Sequence, residues 1–448
     1  MTVEALVARW QKDPAAPAVV WNDRTILYSE LASEVERQRR SLQNHGVVPG
    51  ALAALQADFS PTAIAVLFAL WLERAIVLLL SHEAAERYDQ QHALPACEWN
   101  VTVNAGESVA VTRRIDEVCY PLVDRLRTDG LPGLLLRSSG SAGTPKTIVH
   151  DVHRLLRKFE RPRTGYRTLA FLLFDHIGGL DTLLVTVANG GCLIVPPSRS
   201  PDRVAETISR HRVEVLPASP TFLNLLLMSG AHERHDPSSL RIVTYGTEVM
   251  PDSILQRVSA AWPHVRLVQK FGMSELGTLR SQSRSSDSPW VRVGGEGVEW
   301  RVVDGLLELR SEMAMLGYLD APSPLAADGW LKTGDAVEVD GEYLRFRGRR
   351  SEMINVGGSK VYPVEIETVM LNAPGVLEAT VSGESNPLIG TLIKAVVRVA
   401  GDDPDEVVRA RVRQFCQEHL LPYQVPQRLV VTREPLHSAR FKARRQGV

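Results

Sequence analysis

The stretch "LLLRSSGSAGTPKTIVHD" (Leu134–Asp151) gathers residue types suited to holding phosphate. Ser138, Ser139, Ser141 and Thr144 offer hydroxyls, Gly140 and Gly143 leave backbone amides unhindered, and Lys146 adds a positive charge. Gly140 is followed by Lys146 and Thr147 at the spacing of a GxxxxGK[ST] loop, but Pro145 stands where its second glycine would be. Such a loop needs a strand before it and a helix behind it, because the helix N-terminus supplies amide donors. "GLLLRS" supplies the strand, but "TIVHD" is short and β-branched and reads as a second strand. Pro145 also removes one donor and fixes φ. The stretch is therefore a hairpin loop, and taken alone it reads as a flexible surface hairpin until other motifs corroborate a phosphate-binding role.

Other chemistry-bearing residues recur downstream. Asp175 and His176 sit in "FLLFDHIGG", Glu248 in "YGTEVM", Glu275 in "KFGMSE", Asp335 in "LKTGD", Arg349 in "RGRR" and Lys442 in "ARFKARR". The elements that must position them alternate through the first two-thirds of the chain. "RTLAFLLF" (Arg167 to Phe174) and "GGCLIVP" (Gly190 to Pro196) read as buried strands around the helix "LDTLLVTVAN", and "PDRVAETISRHRVEVLPASPTFLNLLLMSG" continues as helix, strand, turn and helix. This alternation predicts parallel sheets covered by helices, an α/β class. From about Val291 short alternating strands with Asp-Gly turns predict a small antiparallel β unit, and a further α+β segment follows Arg350.

Composition bounds the class. The chain has 448 residues, 44% of them hydrophobic and 23% charged, which predicts two or three globular domains. A net charge of −1 offers no electrostatic argument for nucleic acid or an anionic membrane. "PTAIAVLFALWLERAIVLLL" is the most apolar run, but Glu73 and Arg74 in its middle favour a buried helix leading into a buried strand. Glu4 and Arg9 interrupt the N-terminal apolar stretch, which is not a secretory signal. Four scattered cysteines without a CxxC pair are expected to be reduced thiols in a cytoplasmic protein.

Taken together the motifs resemble the adenylate-forming superfamily: acyl- and aryl-CoA ligases, peptide-synthetase adenylation domains and luciferase. "SSGSAGTPK" is similar to its phosphate loop, "YGTEVM" to its adenine-pocket turn and "KFGMSE" to its YGxTE motif. Asp328 to Glu367 follows its run from TGD through the hinge to GGxKVxPxEIE, and "LHSARFKARR" its terminal lysine motif. The resemblance implies a large N-terminal adenylation domain (1–347) with a small β-barrel-like unit, a hinge (348–352) and a small mobile C-terminal domain (353–448). It implies ATP and Mg²⁺ as cofactors, and an acyl-AMP intermediate passed to CoA or a phosphopantetheine carrier. An amine acceptor, or a lapsed nucleotide-binding protein, stands as the alternative.

By the same resemblance, Ser138 to Thr144 and Lys146 hold phosphates, and Gly246, Thr247, Glu248, Phe271, Gly272, Met273 and Ser274 surround the adenylate. Phe271 takes the place of the family's adenine-stacking tyrosine. Glu275 carries Mg²⁺, Asp335 and Arg349 hold the ribose, and Lys442 places charge on the forming acyl phosphate. Phe441 departs from the family's glycine before that lysine, Ala142 from its threonine, and Ser351 from its hinge aspartate or lysine. Asp175, His176, Ser219, Tyr245 and Gly272 are expected at the acid pocket, and Gly357 and Gly358 on the acceptor side. Phe174-Asp175 imitates the FDxS of amino-acid activators, but the count from His176 to Gly190-Gly191 fits PLFHxxGL better, which favours a non-amino acid.

Overall fold

The structure, a computed structural model of the whole chain, describes residues 1–90, 94–115, 118–138, 145–356, 358–386, 390–438 and 440–445. A first sheet runs in the order Arg266–Gln269, Ile242–Tyr245, Val215–Ala218, Arg167–Leu169, Cys192–Ile194, Pro17–Trp21, Arg24–Leu27, and is parallel but for its last hairpin. A second runs Gly317–Tyr318, Lys146–Asp151, Gly133–Ser138, Ile76–Leu80, Leu52–Gln56, Trp99–Val103, Val109–Arg113, parallel in its centre and antiparallel at both flanks.

The helix Pro61–Leu72 lies in the core that joins these sheets, with every side chain from Pro61 to Trp71 buried. It is apolar all round because both faces meet protein, and each fully buried Leu, Ile or Phe contributes about 1.5–3 kcal/mol. Ser60 Oγ caps it by accepting from the Ala63 N–H at 3.1 Å, and Glu73 just beyond its end pairs with Arg39. The run continues into the buried strand Ile76–Leu80, the helix-to-strand passage expected from its composition. No described helix is long and apolar enough to cross a membrane.

One expected strand is shorter than its apolar run. Only Arg167–Leu169 pairs, and from Phe171 the chain turns towards the helix Ile177–Ala188. The His176 N–H bonds back to the Leu173 carbonyl at 3.1 Å, closing a turn. A Cβ on Gly179 would lie 1.9 Å from that same carbonyl oxygen, so glycine permits the close approach.

The antiparallel unit begins earlier than expected, at Arg280, and forms a six-stranded sheet closed by hairpins. Its Asp304-Gly305 turn has φ values of 52° and 75°, the double left-handed geometry a two-residue hairpin requires. The strand Tyr343–Arg349 then leads through the 3₁₀ turn Arg350–Glu352, with Ser351 exposed, into the last segment. There the strands Val376–Asn386, Gly390–Val399 and Arg428–Thr432 and the helices Pro363–Met370 and Asp405–His419 enclose a separate core including Ile366, Met370, Val397 and Val412. After Thr432 the chain returns to the C-terminal ends of the first sheet.

Candidate active site

In an open parallel sheet, ligands collect outside the C-terminal ends of the strands. Strand Ile242–Tyr245 ends there in Gly246, Thr247 and Glu248. A Cβ on Gly246 would lie 2.5 Å from the Lys270 carbonyl oxygen, and Thr247 holds a φ of +74°. Glu248 Oε1 accepts from the Thr221 N–H at 2.9 Å and the Thr221 hydroxyl at 2.5 Å, at the N-terminus of helix Pro220–Met228. Its Oε2 accepts from the Ala443 N–H at 3.2 Å.

Three further contacts hold the C-terminal tail on this edge. Ser219 Oγ accepts from the Phe222 N–H at 3.1 Å and donates to the Phe441 carbonyl at 2.6 Å. Phe441 has a φ of +52°, and its ring lies 5.4 Å from Phe171, 5.2 Å from Phe222 and stacked 5.2 Å from His437. Arg440 donates to Asp175 Oδ2 at 3.2 Å, and the Ser81 hydroxyl donates to the same oxygen at 3.0 Å.

This docking delivers Lys442 to the sheet edge. Burial pulls the Lys442 ammonium down to about 8, Glu248 partly offsets the shift, and Arg440 and Arg349 deepen it. His176 is held well below the usual imidazole range by burial first, then by Lys442 and Arg440, and is neutral. Its Nδ1 accepts from the Gly178 N–H at 3.1 Å as the cap of helix Ile177–Ala188, so the remaining proton sits on Nε2.

On the phosphate side, Ser138 and Lys146 face each other at the open end of the hairpin Gly133–Ser138/Lys146–Asp151. The loop residues Ser139, Gly140, Ser141, Ala142, Gly143 and Thr144 lie outside the described residues. Lys146 Nζ stands 5.0 Å over the Tyr318 ring, and the Tyr318 hydroxyl donates to Glu275 Oε1 at 2.7 Å. His150 Nε2 bonds the Ser274 carbonyl at 2.6 Å; burial lowers His150 to about 4, so the neutral ring is the donor. Ser274 and Glu275 are thus pinned against the hairpin by residues 43 to 124 positions away.

Among the described residues there is no cluster of three or more His, Cys, Asp or Glu side chains able to hold a metal by itself. Glu275 nonetheless suits Mg²⁺, which is typically bound by one or two carboxylates together with substrate phosphates and water. One of its oxygens is spoken for by Tyr318, and the other makes no hydrogen bond among the described residues. On the opposite flank Asp335 faces Arg349 across paired strands, with Nε to Oδ1 at 3.3 Å. Burial raises the Asp335 carboxyl, and Arg349 opposes that shift. Phe271 stacks on Phe346 with centroids 4.7 Å apart and planes 11° from parallel.

Behind the edge lies a cavity of about 720 Å³ whose walls include His176, Tyr245, Gly246, Thr247 and Gly272. Asp175 and Ser219, expected in that wall, do not line it; they hold the tail. Met273 packs on the core of the antiparallel sheet. Gly358 sits in an exposed turn at φ +91°, its N–H bonded to Asn355 Oδ1 at 3.1 Å, and Gly357 lies outside the described residues.

The sequence pattern of the AMP-binding enzyme family matches residues 132–315, and that of the AMP-binding enzyme C-terminal domain matches residues 365–440. The chain belongs to this adenylate-forming family. It is 25% identical to the indoleacetate–CoA ligase of Aromatoleum aromaticum, over 97% of this chain and 95% of that protein. It is likewise 25% identical to the 2-succinylbenzoate–CoA ligase of Bacillus subtilis, over 95% and 93% of the two chains. Its fold matches an anthranilate CoA ligase solved with anthranoyl-AMP, with a TM-score of 0.79 at 21% identity over 99% of this chain and 98% of that one. An amide bond synthetase from Marinactinospora thermotolerans matches with a TM-score of 0.76 at 23% identity, over 96% of each chain.

His150, Tyr318 and Arg440 are the site residues that motif reading passes over. Each acts on a motif residue far away in sequence, and a lone His, Tyr or Arg carries no local signal of that.

Proposed function

We propose that this chain is an AMP-forming acid–CoA ligase. It joins a carboxylic acid to the α-phosphate of ATP with loss of pyrophosphate, and then passes the acyl group to the thiol of CoA or a phosphopantetheine carrier, releasing AMP. The observation that supports the reading is the docking of the tail by Ser219, Phe441 and Asp175, which holds the chain around Lys442 against the C-terminal edge of the first sheet.

In the first half-reaction a carboxylate oxygen attacks phosphorus, a C–O–P linkage forms and the P–O bond to pyrophosphate breaks. Both partners are anionic, so a fixed cation between them stabilises the charge that develops in the transition state. Lys442 supplies that cation. Lys146 and the hydroxyls of the loop from Ser138 to Thr144 would hold the leaving phosphates, and Glu275 would hold Mg²⁺, which when bound would supply neutralising charge for them. Asp335 and Arg349 hold the ribose, while Gly246, Thr247 and Phe271 flank the base. Neutral His176 lines the acid cavity, where its Nε2–H can donate to the acid carboxylate without adding charge. Residues 1–347 form the adenylation part, 348–352 the hinge around Ser351, and 353–448 the mobile part. Rotation at the hinge would withdraw Lys442 and bring Gly357 and Gly358 to the acceptor. A reducing, cytoplasmic setting suits the four free thiols.

The test is to incubate the protein with ATP, Mg²⁺ and a panel of acids and measure pyrophosphate, then add CoA, carrier protein or amines and weigh the product. A thioester confirms the reading; an amide reassigns the acceptor. Absence of pyrophosphate with every acid would leave only nucleotide binding.

A further inference from the structure

The cavity behind the sheet edge has a distinctive electrostatic lining. Its floor is one face of the first sheet. Val215, Ile242 and Arg266 are in register across three parallel strands, as are Pro217, Thr244 and Val268 one step further along. Side chains two apart share a face, so Lys270 follows Arg266 and Val268 on the same side. The roof is helix Ile177–Ala188, which presents Gly178, Thr182 and Thr186 at a spacing of four. The cavity therefore runs along the strands from the mouth at His176 and Gly246 towards Arg163 and Arg266. Four residues of strand between Lys270 and Arg266 span about 13 Å.

Of the charged groups in this lining, Asp181 is paired with Lys158, and Arg284 with Asp340 at 2.7 Å. Lys270, Arg163 and Arg266 line the cavity, and their side chains make no hydrogen bond or ion pair among the described residues. Lys270 is the one nearest the mouth, partly buried, and burial lowers its ammonium while Asp181 raises it. An uncharged acyl group seated here would displace water from that ammonium and leave a cation without a partner, which is costly in a closed site.

We propose that Lys270 recognises a second anionic group on the acid, so that the substrate class is dicarboxylic acids, one carboxylate being activated at Lys442 and the other paired with Lys270. Longer members of the class extend towards Arg163 and Arg266. The inference rests on the acid-ligase reading and adds the identity of the acid.

The experiment is a pyrophosphate-release panel of straight-chain dicarboxylic acids from four to twelve carbons, each beside its monomethyl ester and the monocarboxylic acid of equal length. It is run on the native chain, Lys270→Met and Lys270→Arg. The native protein is expected to prefer the diacid over its monoester by about 10- to 100-fold in kcat/KM, the range for a hydrogen-bonded charge pair. Lys270→Met should collapse that ratio towards one, and Lys270→Arg should retain most of it. Monoacids or monoesters turned over as well as diacids, or a ratio indifferent to Lys270→Met, would overturn the proposal.

Calorimetry of the same acids on protein loaded with a non-hydrolysable ATP analogue separates the two claims. Lys270-dependent diacid binding without any pyrophosphate would sustain the subsite and refute the ligase reading. Turnover of monoacids alone would do the reverse. Absence of both binding and turnover for every diacid would refute the subsite.

Discussion

Restoring the family's glycine at position 441 should slow adenylation although it removes a strained backbone. Phe441 sits at φ +52°, which costs an L-residue about 1–2 kcal/mol. Phe441→Gly relieves that cost but discards a ring packed against Phe171, Phe222 and His437. Full truncation of a buried Phe costs about 3–5 kcal/mol, and a partly buried ring roughly half as much. Glycine also adds about 0.5–1 kcal/mol of backbone freedom to be lost on docking. The net is a loss of about 1–2 kcal/mol from the docked tail, a 5- to 30-fold fall in its population relative to an undocked one. Phe441→Ala keeps the strain and loses the ring, so it should be worse than glycine. The assay is single-turnover formation of acyl-AMP by native, Gly and Ala proteins, beside thioester formation from supplied acyl-adenylate, which should change little. Adenylation by Phe441→Gly at or above the native rate would refute the idea that the ring anchors Lys442.

Other expectations follow from the same geometry. Lys442 is depressed to about 8, so the protonated form prevails below that pH and is lost above it. Accordingly kcat/KM for adenylation should fall on an alkaline limb near about 8, and kcat on a limb displaced upward, because bound phosphates favour the ammonium. His150→Phe removes the donor to the Ser274 carbonyl and should cost about 1–3 kcal/mol in denaturant unfolding while raising KM for ATP; an unchanged KM would separate His150 from the Glu275 turn. Asp335→Asn should cut the preference for ATP over 2′-deoxy-ATP by about 10-fold or more if the carboxylate accepts from the ribose, and steady-state kinetics with both nucleotides decides it.

Much of this architecture is legible in the residues themselves, for identifiable reasons. Pro145 and the β-branched "TIVHD" announce a hairpin and not a helix, and Lys146–Asp151 is a strand. The charges at Glu73 and Arg74 mark where a buried helix ends, and Asp-Gly pairs mark hairpin turns. The apolar run Arg167–Phe174 misleads because burial without alternation does not distinguish a strand from a packed turn, and here the turn into His176 takes over after Leu169.

The site divides along the same line. Motifs name Glu275, Asp335 and Lys442, whose chemistry is local to short patterns. The groups that position them are set by contacts across long stretches of chain, as with Arg440 and Asp175, 265 residues apart. Asp175 illustrates the gap best: its neighbours suggest a substrate contact, and the fold spends it on the tail.

The central claim is that Lys442 serves the first half-reaction and only that one. The decisive measurement is Lys442→Ala assayed separately for pyrophosphate-releasing adenylation and for transfer from a supplied acyl-adenylate to CoA. Adenylation reduced to background with transfer at the native rate is the expected result. Adenylation at the native rate, or equal loss of both steps, would contradict it.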